Sequence, residues 1–258
     1  MDLRLKDQLF IVGGATSGFG LAVAESLLSE GAAIIAIARN EEKLAALVAA
    51  YPGQTEIFAG DITAAGEVQR LITQTGNRRL HGILINAGGP PAKTVAETTL
   101  EDWDAAYHSL LRWKVELAKI LVPKMTESGY GRVLFIESSS VKQPIENLVL
   151  STSLRLAVVG FAKSYAEEVA AGGVTINVLA PSAHNTPAIE RLYKKKSEQT
   201  GQPIETIRQA AAQQIPVGVL GEAADFASLA VWLLSPHSRH ITGQTISVDG
   251  GTIKSIFG

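Results

Sequence analysis

A glycine-rich segment near the start of the chain has the composition of a phosphate-binding turn. Residues 13–20 read Gly-Gly-Ala-Thr-Ser-Gly-Phe-Gly and lie between an apolar run and a stretch of helical period. Glycine lets the chain turn tightly and lets backbone N–H groups approach an anion, which the positive end of a helix also attracts. An ordinary strand-to-helix turn is the alternative interpretation. The predicted dinucleotide contacts here are Gly14, Thr16, Ser17, Gly18, Phe19 and Gly20.

A second candidate residue, Arg39, follows the apolar run Ala33–Ala38. After the second strand of a dinucleotide-binding unit, an acidic residue binds the ribose 2′-hydroxyl and selects NAD, whereas an arginine can pair with the 2′-phosphate of NADP. Ala38 stands where the acid would be. The sequence therefore predicts NADP(H) in preference to NAD(H). The alternative is a solvated arginine that pairs with Glu41 or Glu42.

The elements that must position these residues alternate along the chain. Short apolar runs rich in Ile and Val are separated by segments of helical period, which is typical of an α/β fold with a parallel sheet covered by helices on both faces. Residues 1–258 are predicted to form one such domain. Residues 185–221 depart from this rhythm and are predicted to form a helical lobe over the edge of the sheet where ligands bind. The seven predicted strands are Leu9–Val12, Ala33–Ala38, Glu56–Ala59, Gly82–Ile85, Val133–Ile136, Val174–Leu179 and Thr245–Val248.

The composition excludes several other classes of protein. Of the 258 residues 46% are hydrophobic and 19% charged, enough apolar material for a full core, and a net charge of −2 argues against a nucleic-acid partner. The absence of cysteine excludes a disulfide framework or a thiolate-bound metal, and the histidines offer no convincing ligand set, so no metal is expected. The first ten residues lack the apolar core of a signal peptide, and no apolar run approaches the ~20 residues of a membrane span. We expect a cytoplasmic protein that contacts no membrane.

Further short motifs follow the glycine-rich segment in a fixed order. They include Gly60-Asp61-Ile62, Asn86-Ala87-Gly88 and Ala180-Pro181. Together with the spacing Gly-x3-Gly-x-Gly of the first turn, they resemble the short-chain dehydrogenase/reductase family almost from end to end. The resemblance implies a Rossmann-like, doubly wound, seven-stranded sheet and a homo-oligomer, either a tetramer or a dimer. The further cofactor contacts that it implies are Asp61, Ile62, Asn86, Ala87, Gly88, Arg155, Pro181 and Thr186.

The positions of the family's catalytic residues hold other residue types. The family uses a serine after strand five, a tyrosine and a lysine in the pattern Y-x-x-x-K, and an upstream asparagine. Aligned from the start of strand five, the sequence has Ser138 at the serine, Ser151 at the tyrosine and Arg155 at the lysine, and Leu110 stands at the asparagine. An arginine can still hydrogen-bond a ribose diol, but a serine hydroxyl is a poor general acid.

Three other residues are candidates for the missing proton donor. Lys142 follows Ser138 in a loop that the resemblance places over the nicotinamide, and a partly desolvated ammonium can act as an acid. His184, the second candidate, lies in a loop that touches the nicotinamide in the family, and histidine titrates near neutral pH. Glu137, which precedes Ser138, is the third candidate. It ranks last because alternation along a strand points its side chain to the face opposite that of Ser138. Lys142 could instead be a solvated loop residue, and His184 a hydrogen-bonded loop residue.

Two functions follow from this pattern. The first is an NADP(H)-dependent oxidoreductase with atypical catalytic residues that interconverts a small-molecule carbonyl and its alcohol, with 3-oxoacyl thioesters as one candidate class, as in the 3-oxoacyl-ACP reductases it resembles. The second is a non-catalytic dinucleotide-binding sensor or partner subunit. The loss of tyrosine and lysine at 151 and 155 favours the second, whereas Ser138 and polar groups at both positions favour the first.

Overall fold

Seven parallel strands form one sheet in the computed structural model, which describes residues 1–256 except for the side chains of Ala188 and Lys195. The strand order is β3-β2-β1-β4-β5-β6-β9. The predicted fold class and all seven predicted strands are confirmed, with ends that differ by at most two residues. The strands are β1 (Leu9–Gly13), β2 (Ala33–Ala38), β3 (Thr55–Ala59), β4 (Gly82–Ile85), β5 (Gly131–Ile136), β6 (Val174–Pro181) and β9 (Thr245–Val248).

The strand order reverses beside β1, which pairs with β2 on one side and β4 on the other. In such sheets the connections leave the carboxyl ends of the two central strands in opposite directions and open a crevice between them. The glycine-rich segment follows β1, and Asn86 follows β4. Both therefore lie at the edge where an open α/β sheet binds its ligand.

Helices cover both faces of the sheet. One apolar core packs α3, α5 and α6 against one face, and a second packs α1, α2 and α9 against the other. Successive residues of β5 divide between the two cores: Phe135 belongs to the first and Ile136 to the second. The helices are α1 (Gly18–Ser29), α2 (Glu41–Ala50), α3 (Glu67–Thr75), α4 (Leu100–Tyr107), α5 (Trp113–Glu127), α6 (Val149–Val169), α7 (Pro187–Thr200), α8 (Ile204–Gln213) and α9 (Ala223–Leu234).

A π-helical turn, His108–Arg112, joins α4 to α5. Such a turn widens the helix by one residue and is often found at functional sites. Leu110, at its centre, is fully buried, and Ser109 faces the crevice. The turn thus lies where the long helix passes the ligand-binding edge.

The segment 185–221 contains α7 and α8, which pack around a small apolar core of their own. Thr186 caps α7 by accepting a hydrogen bond from the backbone N–H of Ile189, and Pro187 occupies the first helical turn. A two-stranded parallel pair that the sequence did not predict, β7 (His184–Asn185) with β8 (Gly221–Glu222), closes the base of this lobe. None of the helices described is long and apolar enough to cross a membrane.

Candidate active site

The turn after β1 has backbone conformations and contacts that require glycine. Gly14 and Gly18 have φ angles of +68° and +53°, in the left-handed region that other residues rarely adopt. A Cβ atom on Gly20 would lie 2.3 Å from the carbonyl oxygen of Gly14, so α1 packs directly against the turn. Only glycine allows this approach, and the predicted turn geometry is confirmed.

The N-terminus of α1 is open to an anion. Ser17 is the N-cap residue, yet in the described part of the chain its side chain makes no capping hydrogen bond. The first N–H groups of a helix have no partner within the helix and carry partial positive charge. Thr16, Ser17 and Gly18 all border the adjoining cavity. A phosphate group in that cavity would satisfy the free donors.

This cavity, of about 660 Å³, runs along the carboxyl edge of the sheet from the residues after β2 and β3, past the glycine-rich turn, to the end of β5. The side-chain amide of Asn86 spans the crevice and donates to the carbonyl oxygen of Gly13 at 3.3 Å. Of the predicted cofactor contacts, Gly20 and Pro181 are not among the described lining residues. Those that do line it are Gly14, Thr16, Ser17, Gly18, Phe19, Arg39, Asp61, Ile62, Asn86, Ala87, Gly88, Arg155 and Thr186.

At one end of the cavity, Arg39 follows β2 and is exposed to solvent. Its predicted alternative partners, Glu41 and Glu42, begin α2, whose cap is Asn40. No ion pair among the described residues involves Arg39, so the guanidinium is available to a ligand. Asp61 and Thr63, at the end of β3, line the same part of the cavity.

At the other end, a buried network of charged groups meets beside β5. The Glu137 carboxylate accepts from Lys114 Nζ at 2.5 Å through Oε1 and from Arg155 Nη1 at 2.8 Å through Oε2. Arg155 Nε donates to Ser151 Oγ at 3.0 Å. The side chains of Lys114 and Glu137 are 1% and 0% exposed, and that of Arg155 is 9% exposed. Arg155 and Glu137 both line the cavity.

Burial and pairing act in opposite directions on Lys114. Removal from water lowers the pKa of its ammonium group, and the neighbouring Glu137 carboxylate opposes that shift. A buried charge is tolerated only when paired and hydrogen-bonded. Glu137 is the pairing group here for both cations, so it holds the network together.

The prediction that Ser151 and Arg155 share one face of a helix is confirmed, since both lie on α6 and are joined by a hydrogen bond. Glu137, the candidate that strand alternation places on the face opposite Ser138, lines the cavity whereas Ser138 is not among the described lining residues. Glu137 lies on the same side of β5 as Phe135, as strand alternation requires, but this is the side that α5 and α6 cover. Lys114 and Arg155 come from these two helices.

The remaining predicted catalytic residues, Ser138, Lys142 and His184, lie outside the described lining of the cavity. Ser138 Oγ accepts from the backbone N–H of Ser140 at 3.1 Å, at the start of a short 3-10 turn that Lys142 ends. His184 is 4% exposed, and its ring packs against Phe19 with 5.0 Å between ring centroids. Its Nδ1 lies 3.2 Å from the carbonyl oxygen of Ser182.

Sequence reasoning missed Lys114 altogether. A signal was present, because Lys114 follows the buried Leu110 by four residues and precedes the buried Ala118 by four. A lysine at a core position of an apolar helical stripe needs a buried partner. The sequence alone did not identify Glu137 as that partner, since the two residues are 23 positions apart.

These residues fit a dinucleotide whose diphosphate lies against the turn. Three features support this fit: the glycine cradle that a Cβ would fill, the free donors of α1, and the cationic groups Arg39 and Arg155, which line the same cavity. Among the described residues, no cluster of His, Asp and Glu has the arrangement of a metal site.

Comparisons with known proteins agree with this geometry. The family model described as enoyl-(acyl carrier protein) reductase matches residues 14–252. The chain is 28% identical over 256 residues to dehydrogenase/reductase SDR family member 4 of Sus scrofa, covering 96% of this chain and 88% of that protein. It is 26% identical to the 3-oxoacyl-[acyl-carrier-protein] reductase FabG of Thermotoga maritima, covering 97% and 100%.

A solved structure is similar over nearly the whole chain. The L-sorbose reductase of Gluconobacter frateurii, crystallised with NADPH and L-sorbose, superposes with a TM-score of 0.93 at 25% identity, covering 99% of this chain and 100% of that one. The fold, the turn after β1 and the extent of these matches lead to one conclusion: the chain belongs to the short-chain dehydrogenase/reductase family of oxidoreductases.

Proposed function

We propose that this protein is an NADP(H)-dependent reductase that interconverts a small-molecule carbonyl compound and its alcohol. The observation that carries the proposal is the single cavity that joins the glycine-rich turn, Arg39 and Arg155. Ser17 and Gly18 at the start of α1 and Arg39, the groups that would bind phosphate, line this cavity together with Arg155 of the buried ionic network. The relative from Gluconobacter frateurii, which binds NADPH and L-sorbose, supports this assignment.

The binding end would hold the adenosine part of the cofactor. The N–H groups at the start of α1 would receive the diphosphate, and Arg39 would pair with the 2′-phosphate that distinguishes NADP from NAD. Asp61 and Ile62, which line the cavity at the end of β3, would contact the adenine. The exposed, unpaired state of Arg39 in the described structure supports the preference for NADP(H).

At the reactive end, Ser151 and Arg155 would take the places of the family's tyrosine and lysine. NADPH, when bound, supplies the hydride that reduces a substrate carbonyl. Arg155 would hold the nicotinamide ribose through the donors that the network leaves free, and Ser138 would polarise the substrate oxygen. The remaining task is the delivery of one proton to that oxygen.

Lys142 is our first candidate for the proton donor. It ends the 3-10 turn that begins after Ser138 and is half-buried. His184 is the weaker candidate, because its ring is packed between Phe19 and Phe226. With a substrate in hand, Lys142→Met is expected to lower kcat about 100-fold, the usual effect of losing a general acid, while NADPH affinity stays unchanged. Lys43→Met, at an exposed site on α2, is the control; an unchanged kcat in Lys142→Met would eliminate this assignment.

The alternative is a protein that binds NADP(H) without turnover. One observation favours it: Ser151 Oγ accepts a hydrogen bond from Arg155 and is not among the described residues that line the cavity. A hydroxyl held in this way is poorly placed to donate a proton to a substrate.

One experiment separates the two functions. NADPH is titrated into the purified protein and followed by nicotinamide fluorescence, and the complex is then screened at 340 nm against ketones, aldehydes and 3-oxoacyl thioesters. Binding with oxidation of NADPH by one substrate class supports the reductase. Binding without turnover supports the second function, and no binding of NADPH or NADH contradicts both.

We also propose that the protein is a homo-oligomer, a tetramer or a dimer, acting in the cytoplasm. An apolar groove on the outer face of α5 supports self-association: its lining includes Leu111, Val115 and Ile120. Sedimentation equilibrium tests this, and a monomer at micromolar concentration would contradict it.

A further inference from the structure

The ionic network beside β5 has one member that does not reach the cavity. Lys114 lies on α5, is 1% exposed, and is not among the described lining residues. Burying a lysine and a glutamate costs free energy that their mutual attraction often fails to offset. A role in stability alone is therefore a weak explanation for Lys114. Lys114 contacts Glu137, which lines the cavity and also contacts Arg155, so Lys114 is placed to act on the cavity through these two residues.

Glu137 links Lys114 to Arg155 through separate oxygen atoms. Lys114 Nζ contacts Oε1 at 2.5 Å, and Arg155 Nη1 contacts Oε2 at 2.8 Å. A carboxylate held at both oxygens has one orientation, because rotation about its last bond would break both contacts. Lys114 thereby fixes the atom to which Arg155 is bound.

Two of the three guanidinium nitrogens of Arg155 are held within the protein. Nε donates to Ser151 Oγ at 3.0 Å, and Nη1 donates to Glu137. The third, Nη2, faces the loop after β4, where a Cβ added to Gly89 would lie 3.3 Å from it. Gly89 and Arg155 both line the cavity. The planar guanidinium thus presents its free edge to the ligand in a fixed direction.

We infer that Lys114 is a positioning residue which, through Glu137, orients the Arg155 guanidinium toward the nicotinamide ribose of bound NADPH. This inference rests on the proposed function. According to this inference, the buried Lys114–Glu137 pair affects how the nicotinamide half of the cofactor binds and does not affect how the adenosine half binds. A selective effect on the two halves of the cofactor is therefore its signature.

The test compares two ligands and two variants. NADPH spans both ends of the cavity, whereas adenosine 2′,5′-bisphosphate carries only the adenosine end with its 2′-phosphate. Arg155→Met is expected to weaken NADPH binding tenfold or more, the equivalent of about one hydrogen bond to a charged group. Lys114→Met is expected to weaken it roughly three- to tenfold by the same reasoning, since Arg155 keeps its contact but loses its fixed direction. Both variants should bind the bisphosphate within about twofold of the unaltered protein.

The variants leave Glu137 with one cationic partner each, so both are expected to fold. Lys119→Met, at an exposed site on the same helix, is the matched control and should change neither affinity. Should Lys114→Met fail to fold, Lys114→Gln replaces it, because glutamine is polar but uncharged and one atom shorter than lysine, so its amide cannot hold Glu137 Oε1 in the same place and the same loss of NADPH affinity is expected.

Two results would overturn the inference. One is NADPH affinity in the Lys114 variant equal to that of the unaltered protein. The other is an equal loss for NADPH and the bisphosphate, which would mean a merely structural role. Failure of the proposed function is distinguishable from both, because the unaltered protein would then bind no NADPH, or would bind it without turnover, and neither result depends on Lys114.

Discussion

The turn after β1 and the network after β5 border one cavity and are built in different ways. The turn uses the main chain: two glycines with positive φ and a helix N-terminus form the site. The network uses side chains from α5, β5 and α6 that meet across 41 positions of sequence, from Lys114 to Arg155. A site built from the backbone is specified by local sequence, whereas one built from side chains is specified by packing.

The largest expected effect comes from removing the centre of the network. Glu137→Leu leaves Lys114 and Arg155 buried without their shared anion and is expected to lower the free energy of unfolding by about 3–5 kcal/mol. Urea denaturation measures this. Adding Lys114→Met to that variant should restore part of the loss, because one unpaired charge is removed.

Glu146→Leu is the control, since Glu146 is exposed in the loop before α6. Its effect should stay within about 0.5 kcal/mol. Equal stability of the Glu137 and Glu146 variants would mean that the network contributes nothing to the fold.

The turn is tested by adding a single methyl group. Gly20→Ala places a Cβ against the main-chain oxygens of Gly13 and Gly14, and we expect a loss of about 3 kcal/mol in stability together with most of the NADPH affinity. Gly160→Ala provides the matched control on α6, where, beyond the adjacent backbone of the helix itself, no described atom lies within 4 Å of the added carbon. That change should stabilise the protein by about 1 kcal/mol, the helix propensity difference. The prediction is contradicted if Gly20→Ala and Gly160→Ala change the free energy of unfolding in the same direction.

A smaller effect is expected at the adenosine end, where Arg39 is exposed. Arg39→Ala should weaken NADPH binding about tenfold and leave NADH binding unchanged, because only NADPH carries the 2′-phosphate. Parallel fluorescence titrations with the two cofactors measure the difference. Arg239→Ala, at another exposed arginine, should change neither. Equal weakening of both cofactors in Arg39→Ala would refute the assignment.

The smallest effect concerns His81, which lies at the amino edge of the sheet, away from both regions. Its Nδ1 accepts from the backbone N–H of Leu9 at 3.0 Å. Burial, and secondarily the charge of Arg79, lowers the pKa of His81. The unfolded chain therefore takes up a proton at a higher pH than the folded chain, and stability falls as pH drops below about 6.5.

His81→Asn keeps an acceptor for Leu9 and has no proton to gain, so this part of the pH dependence should disappear. Unfolding measured at intervals between pH 7 and pH 5 shows the difference between the two proteins. If the free energy of unfolding depends on pH in the same way in both proteins, His81 is not the source of the loss of stability in acid.

The two regions also differ in what could be predicted from sequence. The spacing of Gly14, Gly18 and Gly20 predicts the turn, because the need for glycine there arises from the local backbone conformation. The strands are predicted from runs of apolar residues. The family resemblance identifies Arg155 at the position of the lysine, and helical spacing predicts that it lies on α6 beside Ser151. These predictions depend only on local sequence and do not require knowing which other elements pack against these residues.

The network could not be predicted in this way. Alternation along β5 gives the side of the sheet that Glu137 faces, but not which helices cover that side. Lys114 interrupts an apolar stripe, which signals a buried partner without naming it. The identity of such partners depends on how α5 and α6 pack, which is a property of the whole fold.

The mutual dependence of Lys114, Glu137 and Arg155 has a consequence for how such a protein can evolve. Replacing the shared carboxylate first strands two cations in the interior, and replacing both cations first strands an anion. Replacing one cation leaves the other ion pair intact, so descendants of this sequence are expected to lose a cation before they lose Glu137. The order in which the three residues can change is therefore constrained.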